Sequence, residues 1–193
     1  MRFRECAVPE GTRLATFRDE TSYLAASAVE VDLPADVPVT APELAQAAMV
    51  RPNFVPERLL AIADALIHIQ GVLFKPLGFE PVANPRKRTQ PEFAVGKRFG
   101  PWQVYSIQDD EVLLGDTDPM WDFRVSFLVA PGHARLGVVL RARNKPGELY
   151  YRAVRRMQQR MLRDSLQRGL EALAARAPRA ANTPDVPAVD EAR

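Results

Sequence analysis

Polar and apolar positions alternate most strictly between Trp121 and Ala130. Phe123, Val125, Phe127 and Val129 fall on one side of an extended chain, and Asp122, Arg124 and Ser126 on the other. Successive side chains of a strand point to opposite faces, so this period of two predicts a strand with one buried face. Tyr23–Leu33 repeats the pattern, with Val29, Val31 and Leu33 set against Glu30 and Asp32, until Pro34 stops it. Trp102–Gln108, Glu111–Gly115 and Arg135–Asn144 are further strands. Tight polar turns at Asp109-Asp110 and Pro131-Gly132-His133 join them, as in an antiparallel meander.

Elsewhere the period is helical. Thr40-Ala41-Pro42-Glu43 reads as a helix start: Thr40 caps, Glu43 closes a capping box, and Pro42 sits where its missing N–H costs nothing. This helix ends near Val50. A second one follows from about Pro56 to Gln70 and stops at Gly71. A third opens at Pro146-Gly147 and meets no proline until Pro178. Tyr150, Ala153, Val154, Met157, Met161, Leu162, Leu166, Leu170 and Leu173 form its apolar stripe. Roughly 28 residues at 1.5 Å each span about 40 Å, the length of a small domain.

An antiparallel sheet with one apolar face needs a cover, and this last helix has a stripe of matching length. The order of elements therefore predicts an α+β fold of the helix-grip (START-like) type, a curved antiparallel sheet around a long C-terminal helix. The domain is expected over residues 21–176. Residues 1–20 form a weakly patterned N-terminal extension, and the small, polar, proline-bearing residues 177–193 are expected to be a disordered tail. Such a grip has more strands than the pattern gives, so the others are either lost or lie within residues 72–100.

Composition narrows the function. The 193 residues include one cysteine, Cys6, and two histidines, His68 and His133. An intrachain disulfide and a CxxC metal site are excluded, and no metal or cofactor is expected. No run reaches the roughly 18 apolar residues of a membrane span, and the start lacks the apolar core of a signal peptide. A reduced, cytoplasmic setting is the expectation. The net charge of +2 hides an excess on the last helix, where residues 149–179 hold eight arginines against Asp164 and Glu171. Arg152, Arg155, Arg156, Arg160 and Arg163 read first as a solvated helix face. The alternative is a polyanion- or protein-interaction surface, aided by the Arg86-Lys87-Arg88 loop. That triplet has no interleaved aromatic, so nucleic acid is not the expected partner; a partner protein or a second copy of the chain stays open.

Catalytic constellations are not apparent. No nucleophile elbow or Ser-His-Asp order is present, and His68 among isoleucines reads as a packing residue. Asp116, Asp118 and Asp122 could act as acid and base if buried together, but turns select aspartate for local hydrogen bonds, and an exposed loop with a strand-end cap is the first reading. Arg124 has two readings. On the outer sheet face it joins Asp122, Arg141 and Arg143 in a charged lattice; inside, its planar fork could anchor a carboxylate or phosphate. A sheet–helix cavity is the expected site, binding a small apolar or amphipathic molecule through Trp102, Tyr105, Trp121, Arg124, Tyr150, Met157 and Met161. Phe123 and Phe127 could line the same space. A cyclase- or isomerase-type enzyme stands third.

Two segments carry a resemblance. Glu111–Ser126, "EVLLGDTDPMWDFRVS", resembles the "EVVLGEDDRHLDFRVSV" signature of a bacterial domain-of-unknown-function family. Asn144–Tyr150, "NKPGELY", is similar to that family's "HNRLGRIY" before its last helix. Members occur alone or C-terminal to short-chain NAD(P)-binding epimerase-like domains. This sequence has no GxGxxG motif. The resemblance covers most of residues 21–173. It implies a helix-grip layout and a hydrophobic-ligand binder, or less often an aromatase/cyclase-type enzyme. Two departures stand out: Met120-Trp121 replaces His-Leu before "DFR", and Met157-Gln158 replaces Phe-His on the last helix. Chemistry that rested on those imidazoles would be missing here.

Overall fold

The computed structural model describes residues 1–33, 38–50, 92–100, 102–117 and 119–176, without the side chains of residues 50, 150, 153 and 154. The second expected helix with His68, the Arg86–Arg88 loop and the tail lie outside the described residues. The described elements are β1 (Phe3–Cys6), α1 (Arg13–Asp19), β2 (Ala25–Asp32), α2 (Ala41–Val50), β3 (Arg98–Phe99), β4 (Trp102–Ile107), β5 (Glu111–Thr117), β6 (Trp121–Ala130), β7 (His133–Ala142) and α3 (Lys145–Ala174). The seven strands make one antiparallel sheet in the order β1-β2-β7-β6-β5-β4-β3. With α2 and α3 on one face, this is the helix-grip layout that the order of elements predicts. Two strands go beyond the pattern, β1 at one edge and the two-residue β3 at the other.

The alternation in β6 sets the two faces. Val125 and Phe127 are 3% and 0% exposed and join Val112, Leu114, Leu136 and Val138 of the neighbouring strands. Leu162, Leu166 and Leu170 of α3 and Leu44, Ala45 and Ala48 of α2 close over them. Fully burying a side chain of this size stabilises by about 1.5–3 kcal/mol, so this layer dominates the fold. The helices meet closely because position 169 is glycine: a Cβ there would stand 3.0 Å from Leu44 Cδ1 and 3.1 Å from Ala48 Cβ. The expected capping box closes α2. Thr40 donates its backbone N–H to Glu43 Oε2 at 3.0 Å, and the Glu43 N–H reaches Thr40 Oγ1 at 3.4 Å. The Thr40 N–H and the Thr40 hydroxyl, both donated to Oε2, hold the Glu43 carboxyl below its ordinary range.

The other face is covered in part by α1, where the sequence shows no pattern. Val8, Leu14 and Ala15 pack with Leu113 and Val139 in a second, smaller cluster. Glu111, 4% exposed, ties this helix down: its carboxylate accepts the N–H groups of Arg13 (2.8 Å) and Leu14 (3.3 Å) and the Ser126 hydroxyl (2.7 Å). Thr12 caps the same helix end through its hydroxyl to the Ala15 N–H. A carboxylate at a helix N-terminus satisfies donors that would otherwise be orphaned and complements the helix dipole. A bulge between Val104 and Ser106 turns both Tyr105 and Ser106 onto this face.

Candidate functional site

The two segments of the resemblance meet in space. The Arg143 N–H donates to the Met120 carbonyl at 2.8 Å, and the Asn144 amide donates to the Pro119 carbonyl at 3.0 Å. Asn144 then caps α3 by accepting the Gly147 N–H at 2.9 Å. Trp121 donates its indole N–H to the Gly147 carbonyl at 3.1 Å. Position 147 has no room for a side chain: a Cβ would lie 2.5 Å from the Met120 carbonyl and 2.9 Å from Trp121 Nε1. The long helix is therefore pinned to the sheet at its start by Trp121 and along its C-terminal half by the leucine layer.

Between the two attachments lies a cavity of about 240 Å3. Trp102, Trp121, Phe123, Val125, Val138 and Leu140 form its sheet wall. Tyr151, Met157, Gln158, Met161 and Leu162 form its helix wall. Trp102 meets Phe123 edge-on, with ring centres 5.8 Å apart. Gln158 is half-buried, and its amide has no hydrogen-bond partner among the described residues. Tyr151 is 6% exposed, and its burial raises the phenol above its ordinary pKa while Arg155 pulls the other way. A larger hollow of about 350 Å3 lies at the opposite end of the sheet, among turn residues such as Asp109, Asp110, Pro131 and Gly132. Among its described lining residues none is aromatic, so the sheet–helix cavity is the better-built site for an apolar ligand.

Of the residues expected at the site, Trp102, Trp121, Met157 and Met161 line this cavity. The Tyr150 side chain lies outside the described residues. Tyr105 and Arg124 sit on the opposite sheet face. The Arg124 guanidinium carbon is 3.8 Å from the centre of the Tyr105 ring and 4.6 Å from that of Phe17. Arg124 also donates to Asp122 at 2.6 Å, and Asp122 accepts from the Thr117 hydroxyl at 2.9 Å, with Arg141 3.5 Å away. Farther along this face Glu30 pairs with Arg135 and, at 2.7 Å, with Arg4, chiefly the latter holding its carboxyl below the ordinary range. This placement is the charged lattice, not the anchor inside.

Tyr151 and Gln158 are the cavity residues that the sequence pattern passes over. On this helix Tyr151, Ser165 and Ala172 are buried and Gln158 is half-buried, beside Leu162, Leu166 and Leu170 of the expected stripe. The spacing of seven from Tyr151 through Gln158 and Ser165 to Ala172 was the available signal, masked by their modest hydrophobicity.

The two described members of the aspartate cluster each have an arginine partner. Asp116 pairs with Arg98, Asp122 with Arg124, and Asp118 lies outside the described residues. Among the described residues no three of His, Cys, Asp and Glu come together as a metal would need. Burial, with Glu30 nearby, pushes the Cys6 thiol up, away from the thiolate a nucleophile needs. No described helix is long and apolar enough to cross a membrane.

The model of the family described as Protein of unknown function (DUF2867) matches residues 21–165. The chain belongs to this family. No curated protein and no solved structure matches it. The DUF2867 span starts after α1 and ends within α3. It takes in every described residue lining the cavity, together with the Trp121–Gly147 attachment. Phe17 and the Thr12 cap lie before it.

Proposed function

We propose that this DUF2867 protein binds a small apolar or amphipathic molecule in the sheet–helix cavity. The cavity of about 240 Å3, walled by aromatic and thioether side chains, carries the reading. A dry apolar cavity of about 150 Å3 can hold benzene, and typical ligand pockets begin near 300 Å3, so the occupant is of one-ring or short-chain size. Trp102, Trp121, Phe123, Met157 and Met161 supply contact area, and the thioethers adapt to its shape. The chain has two tryptophans, and both line the cavity. Their emission is therefore a direct report on occupancy. With 1-octanol as probe, the expected result is a saturable shift in tryptophan emission, abolished by the cavity-filling change Met161→Trp at unchanged melting behaviour. An unsaturable response equal in both proteins would overturn the reading.

A second reading rests on α3. Arg155, Arg156, Arg160 and Arg163 are exposed, and none forms an ion pair among the described residues. Four such cations on about 12 Å of helix suit a polyanion. Retention on heparin at low salt is expected, with log affinity falling against log salt at a slope of about −3 to −4. Replacing all four with glutamine should abolish it; unchanged retention would sink this reading.

A further inference from the structure

The ligand's polarity can be read from what faces the cavity and what does not. None of the described residues lining it carries a charged side chain at neutral pH: the helix wall offers the Gln158 amide and the Tyr151 phenol, the sheet wall indole and hydrocarbon. Arg124, the one cation on the central strand of that wall, is turned to the opposite face and held by Asp122. Arg152, Arg155 and Arg156 on the helix are exposed. Bringing an ionised group into such a space costs its hydration, and no countercharge stands among the described lining residues to replace it. The carboxamide of Gln158 has the opposite need. It offers two donors and an acceptor and has no partner among the described residues, so a neutral group able to both give and accept a hydrogen bond complements it.

We infer that the cavity selects uncharged molecules with an apolar body and one terminal amide, alcohol or similar hydrogen-bonding group, which pairs with the side-chain amide of Gln158. This inference rests on the cavity reading given above. It separates from fatty-acid or phosphate-ester binding, for which the described lining residues offer no cation.

Octanamide and octanoate test it, because they share chain length and head-group shape and differ in charge at pH 7. Titrated against tryptophan emission, octanamide is expected to bind about a hundredfold more tightly than octanoate. Gln158→Leu, similar in size, is expected to weaken octanamide about tenfold while leaving the melting temperature within a few degrees. Octanoate binding as well as octanamide, or octanamide unaffected by Gln158→Leu, would overturn the inference and leave the cavity reading standing. No saturable binding of either compound, or of 1-octanol, would remove the cavity reading itself.

Discussion

Gly115→Ala is expected to destabilise the protein by about 3 kcal/mol, as much as a large core truncation, although it adds a single methyl group. Gly115 lies in β5 directly opposite Arg124 of β6. A Cβ built on it would stand 2.2 Å from the Phe123 carbonyl oxygen, 2.9 Å from Arg124 Cδ and 3.2 Å from Arg124 Cα. The first and last are main-chain atoms that cannot rotate aside, so the two central strands must separate or the ladder must shift. Against this, alanine restricts the unfolded chain more than glycine does, which returns at most about 1 kcal/mol. Overpacking costs about 1–3 kcal/mol and occasionally more, and main-chain obstruction in a central strand belongs at the upper end. Gly137→Ala is the control. Its nearest neighbour is Leu14 Cδ2 at 2.7 Å, the end of a side chain rather than main chain. Urea unfolding of the two variants should show a clearly larger loss of midpoint for position 115. Equal losses would mean that the strand pair accommodates the methyl group and that the close approach is not what the glycine serves.

The segment around Gly115 is also the strongest recognition handle in the sequence, and its residues act structurally. Gly115 permits close strand approach. Met120 and Trp121 are bonded to the segment 143–147 that opens α3. Asp122 and Arg124 pair on the face away from that helix. A signature of this kind identifies a way of attaching a long helix to a sheet more than it identifies a reaction. That is why the segment carries the fold and leaves the chemistry to the cavity walls, where Met157 and Gln158 stand.

Legibility in the sequence follows the strength of the period. β6, β7 and α3 were readable because burial of one face forces alternation or a helical stripe, and β5 because a short apolar run is bounded by a polar turn. The capping box at Thr40 was readable because it is a local, four-residue device. β1 and α1 were not. β1 is a four-residue edge strand with sequence Phe-Arg-Glu-Cys, and α1 has seven residues held by Glu111, almost a hundred positions away. No local pattern encodes such a contact. The bulge at Tyr105 likewise breaks the alternation that would have placed its ring. For the cavity, the sheet side was legible from the parity of Trp121 and Phe123. On the helix side Met157 and Met161 were legible from the stripe, whereas Tyr151 and Gln158 were not, because neither stands out in a count of hydrophobic residues.

Asp122→Ala is expected to cost about 3 kcal/mol, and it decides between the two accounts of Arg124. The carboxylate is 8% exposed as a residue and accepts from Arg124 and Thr117, with Arg141 nearby. Removing one member of a buried pair typically costs about 3–5 kcal/mol, because the other charge is left without compensation. The lower figure applies because Arg124 keeps the Phe123 carbonyl at 2.8 Å and the faces of Tyr105 and Phe17. Arg124→Met alone leaves Asp122 with Thr117 and Arg141, so it should cost less. The double variant, with a small apolar residue beside a thioether of suitable length, should cost well under the sum, giving a coupling of about 1–3 kcal/mol. Thermal or urea unfolding of the three proteins supplies the cycle. The ligand readout supplies the second half of the argument. Asp122 and Arg124 face away from the cavity, so folded Asp122→Ala should bind 1-octanol with the wild-type Kd although it is far less stable. A loss of affinity in step with the loss of stability would place Arg124 in the ligand's environment and revive the anchoring role. Unchanged affinity assigns the charges of the "DFRVS" strand to holding the sheet and α1 together, and leaves recognition to the apolar side.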